Sequence, residues 1–137
     1  MHANGYRLAR PATHPVRVRK YQSLAVWQRA HALVVQVLRE TDAAYHPRSR
    51  ALFDQLRRAA LSVECNIVEG YALSTPLQFR RHLRIALGSA AEAEALCRTA
   101  GELAYLPDQV VARSEALLDE VLAMLYGLLR KPLPTKG

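Results

Sequence analysis

Residues 75–104 read TPLQFRRHLRIALGSAAEAEALCRTAGELA, and this stretch decides the fold. Thr75 is a good N-cap, Pro76 fits the first helical position with its preset φ and missing N–H, and Gln78 stands third, where a side chain can reach back to the cap. Beyond that start, Phe79, Leu83, Ala86, Leu87, Ala90, Ala93, Cys97 and Ala100 recur in steps of three and four. That period belongs to a helix with one apolar face and not to a strand. The spacing predicts a helix from Pro76 to about Ala104, roughly 43 Å long. Gly88 and Gly101 lie inside it, each at a cost of about 1 kcal/mol relative to alanine. A close approach by a neighbouring backbone is the expected compensation.

Working outward, Pro47, Pro76 and Pro107 cut the chain between residues 16 and 131 into long blocks. Each block has the same periodicity. The first predicts a helix after Ser23 as N-cap, running to about Ala43 on Leu24, Trp27, Ala30, Val34, Val37 and Leu38, with Pro47 forcing the break. The second predicts a helix from about Ser49 to Glu69 on Leu52, Leu56, Ala59, Ala60, Val63 and Ile67, with Gly70 closing it at positive φ. The fourth helix is expected from Asp108 to just before Pro132, with Val110, Leu117, Leu118, Val121, Leu125 and Leu128 facing inward. Its residues 121–129 carry no charge at all, so a single core face is not expected to hide them. Four long helices with short links favour antiparallel neighbours. The expected fold is all-α, an up-down-up-down antiparallel four-helix bundle over residues 21–131, between a flexible basic tail (1–20) and a short C-terminal tail (132–137).

The formal charge is +7, but it is unevenly placed. Residues 1–20 hold +5 with no acid, residues 132–137 add +1, and residues 21–131 are nearly balanced at +1. The tail is either simply solvated or an arm for RNA, DNA or another acidic partner. No run of 18 apolar residues exists, and the N-terminus lacks a secretory pattern. Two cysteines, Cys65 and Cys97, form no CxxC motif and are expected to be reduced, which places the protein in the cytoplasm and off the membrane. Five scattered histidines make no metal-binding spacing,; neither a metal nor a cofactor is expected.

A turn near residues 73–74 pairs positions on the second and third helices whose numbers sum to about 147. That register sets Cys65 and Cys97 roughly 22 Å apart along the hairpin, too far for a disulfide. It brings Glu92 near Gln55 and Arg58, Glu69 near Arg80 and Arg81, and Ser62, Glu64 and Asn66 near Arg84. Gln55, Arg58, Asn66, Glu69, Ser89 and Glu92 then read as a structural polar network that fixes register. A site with Glu69 and Glu92 as acid/base or metal-binding carboxylates is the sharper alternative, weakened because neither is followed by the Glu-x-x-His pattern of bundle di-metal sites.

Sixteen of the nineteen basic residues are arginine, the side chain suited to bidentate phosphate contact. Arg57 and Arg58 lie on the second helix; Arg80, Arg81 and Arg84 lie on the third. Asp54 stands at the spacing to neutralise Arg57 or Arg58. These clusters are either a phosphate-binding surface or a self-neutralised solvated face.

Several segments carry a family resemblance: Leu24-Ala25-Val26-Trp27-Gln28, Gln55-Leu56-Arg57-Arg58-Ala59-Ala60-Leu61-Ser62, Asn66-Ile67-Val68-Glu69-Gly70 and Gly88-Ser89-Ala90-Ala91-Glu92-Ala93-Glu94. Over residues 21–130 the chain resembles the small four-helix-bundle proteins encoded within bacterial 23S rRNA intervening sequences. It departs from them at His46-Pro47-Arg48-Ser49, at Cys65 and in its long basic tail. The resemblance implies a bundle that forms ring-shaped homo-oligomers, with pentamers expected. It also implies kinship with the basic accessory proteins of diversity-generating retroelements, which bind nucleic acid and a nucleic-acid-processing enzyme. It supplies no catalytic activity.

The expectation is therefore a non-enzymatic, homo-oligomeric accessory or scaffold protein that binds RNA or DNA. Its anchors would be Arg57, Arg58, Arg80, Arg81 and Arg84, joined by Arg17, Arg19 and Lys20 of the tail. Leu122, Met124, Tyr126 and Leu129 are the candidate contacts between copies. The alternative is a protein–protein interaction module that binds no nucleic acid.

Overall fold

A computed structural model describes residues 21–73 and 75–132. Four helices span them: α1 (Ala25–Ala43), α2 (Arg50–Leu73), α3 (Pro76–Glu102) and α4 (Asp108–Arg130), with a 3-10 turn, Pro47–Ser49, before α2. Each packs on its sequence neighbour, and α4 closes the ring on α1. Pairs across the seams fix every direction. Residue 27 meets 64 and residue 42 meets 57 between α1 and α2. Residue 55 meets 92 and residue 66 meets 82 between α2 and α3. Residue 29 meets 120 and residue 36 meets 114 between α1 and α4. One number rises as the other falls in each seam, so the bundle is antiparallel throughout, up-down-up-down.

The apolar stripes become the core. Leu33, Phe53, Leu56, Val63, Ile67, Leu118, Val121 and Leu125 are fully buried. The α3 stripe contributes Leu83 and then only small residues, Ala86, Ala90, Ala93, Cys97 and Ala100. Small side chains let a neighbour approach closely, and α2 and α3 form the most extensive pair. The few polar groups inside are satisfied locally. Thr41 Oγ1 donates to the Val37 carbonyl at 2.6 Å, and Gln36 Nε2 donates to Ser114 Oγ at 2.6 Å. Burial pushes the Cys97 thiol up to about 11, with Glu115 and Glu94 adding to the rise against a lowering bond to Ser114. Cys97 is thus a packed, protonated thiol, and both cysteines are free.

The helix ends depart from the sequence reading in instructive ways. Ser23 does not cap α1: residues 21–23 form a 3-10 turn, and Leu24 is the N-cap, with no side-chain bond. Pro47 does break the chain, and His46 then organises the next start. The Arg48 N–H donates to His46 Nδ1 at 3.1 Å, and buried Ser49 donates to the His46 carbonyl at 2.9 Å. Thr75 caps α3 as expected, accepting from the Gln78 N–H at 3.2 Å. Gly70 does not end α2, which runs on to Leu73, and no glycine among the described residues has positive φ. Its role is space: a Cβ there would lie 2.8 Å from His82 Cβ. Gly101 meets the Val111 side chain at 3.3 Å and Gly88 faces open space, so the expected approach of a neighbouring backbone accounts for neither α3 glycine, and a side chain takes its place at Gly101.

The residue that does take the left-handed region is Ala104, with φ of 58°. The Ala104 N–H donates to the Gly101 carbonyl, and the Tyr105 N–H donates to the Ala100 carbonyl at 2.8 Å. These two bonds make a Schellman ending, whose residue at this position is usually glycine. An L side chain there costs about 1 kcal/mol. Ala104→Gly is therefore expected to raise stability by about 1 kcal/mol, read as a higher urea midpoint at unchanged slope. A lower midpoint would mean that the alanine methyl contributes more than the backbone strain costs.

The charge-free stretch of α4 is covered by more than one core face. Val121 and Leu125 are buried, and Leu122, Met124, Leu128 and Leu129 pack partly buried against the core. Because α4 contacts both α1 and α3, two flanks as well as an inner face are covered. Only Tyr126 stands out as a large exposed apolar side chain on this helix, at 53%.

Candidate nucleic-acid interface

An up-down-up-down path gathers both ends of the bundle and the α2–α3 hairpin at one pole. The starts of α1 and α3 and the ends of α2 and α4 lie there. The links 44–49 and 103–107 lie at the other. Dividing the described charges between the poles shows a polarity that the net charge conceals. On the terminal pole, Arg29, Arg80, Arg81, Arg84, Arg130 and Lys131 stand against Glu64, Glu69, Asp119 and Glu120. On the link pole, seven cations face eight carboxylates. The +5 segment of residues 1–20 joins the bundle at Tyr21, again on the terminal pole.

The five arginines singled out on α2 and α3 meet different fates. Arg57 is tied to Asp42 across the α1–α2 seam. Asp54, expected to neutralise it, pairs instead with Arg50 at 3.9 Å. Arg58 is exposed and makes one long bond, 3.4 Å, to Gln55 Oε1. Arg80 is half-buried and donates to the carbonyls of Leu129 at 2.6 Å and Lys131 at 2.8 Å. Those are orphan acceptors at the negative end of α4, so Arg80 caps that helix rather than offering a free cation. Arg81 and Arg84 are exposed, and neither makes a hydrogen bond or ion pair among the described residues. Arg17, Arg19 and Lys20 lie outside the described residues.

The polar residues expected along the α2–α3 seam are brought together in part. Gln55 Nε2 donates to Glu92 at 2.6 Å, and the Ser62 and Ser89 hydroxyls share a 2.7 Å bond. Asn66 Nδ2 donates to the Ser62 carbonyl at 2.8 Å, and its Oδ1 lies 2.9 Å from His82 Nδ1. Glu69 lies 3.8 Å from His82, with neither Arg80 nor Arg81 as its partner. Arg84 takes none of the partners expected for it. Since Glu69 stands beside residue 82, Glu92 is ten positions further along α3, about 15 Å away. The two carboxylates share no site. Among the described residues no group of three or more His, Cys, Asp or Glu side chains converges on one point.

A cluster that the sequence reading missed lies at the base of the tail. Trp27 Nε1 donates to Glu64 Oε2 at 3.0 Å, and His31 Nδ1 lies 3.0 Å from the same oxygen. The Trp27 and His31 rings are stacked, with centroids 4.9 Å apart and planes 15° from parallel, and Tyr21 packs edge-on against Trp27 at 5.3 Å. Trp27 and His31 stand four residues apart, a helical-face signal visible in the sequence. Their shared partner is 37 residues from Trp27, and no local pattern points to it.

No helix among the described residues is long and apolar enough to cross a membrane. No curated protein matches the chain. A family model described as 23S rRNA-intervening sequence protein matches residues 22–127. The match covers α1 to α3 entire and α4 up to its last turn, the part of the chain that builds the bundle. The chain belongs to the family of 23S rRNA-intervening sequence proteins.

Proposed function

We propose that this protein is a non-enzymatic accessory or scaffold that binds RNA or DNA through its terminal pole, acting as a cytoplasmic homo-oligomer, with five copies as the expected number. The observation that carries the reading is the charge polarity. Arg81 and Arg84 are exposed and unpaired among the described residues, on the pole where the described chain begins at Tyr21 after a +5 stretch of sequence, while the opposite pole is balanced. Assembly would multiply a modest basic patch by the number of copies, raising avidity without any new contact type. Tyr126, Leu77 and Ile85 are exposed apolar side chains available between copies. Leu122, Met124 and Leu129 are already engaged within their own bundle, which leaves Tyr126 the main candidate among the four α4 residues.

The test is titration of the full chain with labelled structured RNA and duplex DNA at two salt concentrations. Binding through phosphates weakens steeply with salt, because each contact releases counterions. Arg81→Glu with Arg84→Glu is expected to weaken binding at least tenfold and to flatten the salt dependence. Arg57→Glu, whose parent is already committed to Asp42, serves as the charge-matched control for Arg81→Glu alone and is expected to have a smaller effect. Absence of binding at low salt overturns the nucleic-acid reading. A light-scattering mass at the 15.3 kDa of one chain overturns the oligomer.

One observation favours a second reading, a protein–protein interaction module. Leu73 and Leu77 at the hairpin tip are 49% and 62% exposed. A partner seated there, such as a nucleic-acid-processing protein, would bind with little dependence on salt, and the two-salt titration separates the readings.

A further inference from the structure

We infer that the outward stripe of α2 is a two-fold contact between copies of this chain, with Leu61 and Cys65 at its centre and Arg58 of each copy paired with Glu69 of the other. The inference rests on the proposed homo-oligomer and names the face through which copies meet; it is independent of the nucleic-acid reading. Three observations carry it. The first is an apolar patch that crosses three helices. Arg58, Leu61, Cys65 and Glu69 are exposed along the middle of α2, in steps of three and four that keep them on one face,. Residues 62 and 89, and 66 and 82, meet across the α2–α3 seam, which sets Ile85 level with Cys65. Residues 31 and 64, and 42 and 57, meet across the α1–α2 seam, which sets Val35 level with the turn of Leu61. Val35, Leu61 and Ile85 are all exposed, and Cys65 is an exposed thiol between them. Among the described residues α2 touches only α1, α3 and the turn before it, so nothing in the same chain covers this side. An exposed apolar patch rimmed by charges marks an interaction surface.

The second observation is that the stripe is its own complement. A two-fold axis crossing α2 at right angles lays the helix of one copy antiparallel on that of the other, so positions equidistant from the axis meet, and every contact is made twice. With the axis level with Val63, Leu61 falls opposite Cys65 and Asp54 opposite Ala72. Arg58 falls opposite Glu69 to within one residue. No like charges face each other, and the two Arg58 positions lie about 15 Å apart along the helices, beyond the ~8 Å screening length at physiological salt. This symmetry names the occupant. A polyanion would meet Glu69 at one end of the stripe, and an unrelated protein has no reason to match both ends. A second copy matches both.

The third observation is that both charged ends are available. Arg58 makes one long bond, 3.4 Å, to Gln55 Oε1. Glu69 stands 3.8 Å from His82, with its side chain 63% exposed. Arg57 and Asp54, on the same helix, are already tied to Asp42 and Arg50 and do not compete for either.

Cys65 is exposed and Cys97 is buried, so a thiol-specific cross-linker reports this face. In the contact the two Cys65 residues lie about 6 Å apart along the helices. The full chain, free of nucleic acid, is treated with a short bis-maleimide, and its native mass is followed by light scattering over a range of concentrations. A covalent dimer linked from Cys65 to Cys65 is expected, with a native mass equal to an even number of 15.3 kDa chains. Leu61→Glu should weaken association at least about tenfold by placing an unmatched charge in the apolar centre. Arg58→Glu and Glu69→Arg should each weaken it about tenfold by setting like charges opposite each other, and the double variant should restore it. Circular dichroism checks that all four variants fold. Within one chain the two positions are eleven residues apart, about 16 Å along α2, so rescue can come only through the second copy. A native mass of five chains, an oligomer without the Cys65 cross-link, wild-type association in Leu61→Glu, or a double variant as weak as the single ones each overturns the two-fold contact and leaves the proposed oligomer standing. A mass of one chain at every concentration overturns both.

Discussion

Gly70→Val is expected to destabilise the bundle by about 3 kcal/mol, because the α2–α3 seam has no room for a side chain there. A Cβ at Gly70 would lie 2.8 Å from His82 Cβ, 3.3 Å from the Phe79 ring and 3.4 Å from the Phe79 carbonyl. Two of those neighbours are backbone or the first side-chain atom, which cannot swing aside, so relief requires the helices to separate. Separation would loosen the nearby bond between Asn66 and His82. Gly88→Ala, on the same hairpin, provides the opposite sign. Nothing lies within 4 Å of a Cβ at Gly88, so only helix propensity changes, and stability should rise by about 1 kcal/mol. Chemical denaturation of the two variants checks both. A neutral Gly70→Val would mean that the two helices cross farther apart than described.

Phe53→Ala is expected to cost about 3–5 kcal/mol, the usual range for truncating a fully enclosed phenylalanine. Phe53 has no exposed surface. Its ring meets Tyr105 edge-on at 6.3 Å, and Arg48 sits over the outer face of Tyr105 at 5.6 Å. The side chain thus ties the first turn of α2 to the α3–α4 link, at the pole away from the tails. Phe53→Leu, which refills most of the space, should recover much of the loss. If Phe53→Ala unfolds at nearly the wild-type urea concentration, the link pole must collapse onto the vacancy.

The architecture was legible in the sequence because each helix signals itself locally. The Thr75–Pro76 start needs only four consecutive residues, and the apolar stripes need only a period. What was not legible depends on pairs distant in the chain. Gly70 carries the same local signature whether it ends a helix at positive φ or admits a neighbour, and only the position of His82 decides. Arg80 reads as one of three equivalent arginines, yet its partners are carbonyls 49 and 51 residues away. The charge-free run of α4 looks like an outward face when only an inner face is assumed, and two flanking helices absorb it. For the candidate interface, composition gave the amount of charge, but only topology revealed the pole to which that charge belongs.

The return of the chain to its starting pole has a consequence for how such a molecule acquires binding capacity. An even number of helices, and so an odd number of reversals, means that an extension added at either terminus arrives at the same place, beside Arg81, Arg84 and the aromatic stack. Tails can lengthen, shorten or change composition there while the buried face of every helix stays as it is. A circularly permuted chain, its old ends joined and a new opening cut in the link at 44–48, would keep the same core and present its free ends at the balanced pole instead. The direction in which this molecule can gain charge is thus set by the parity of its helices.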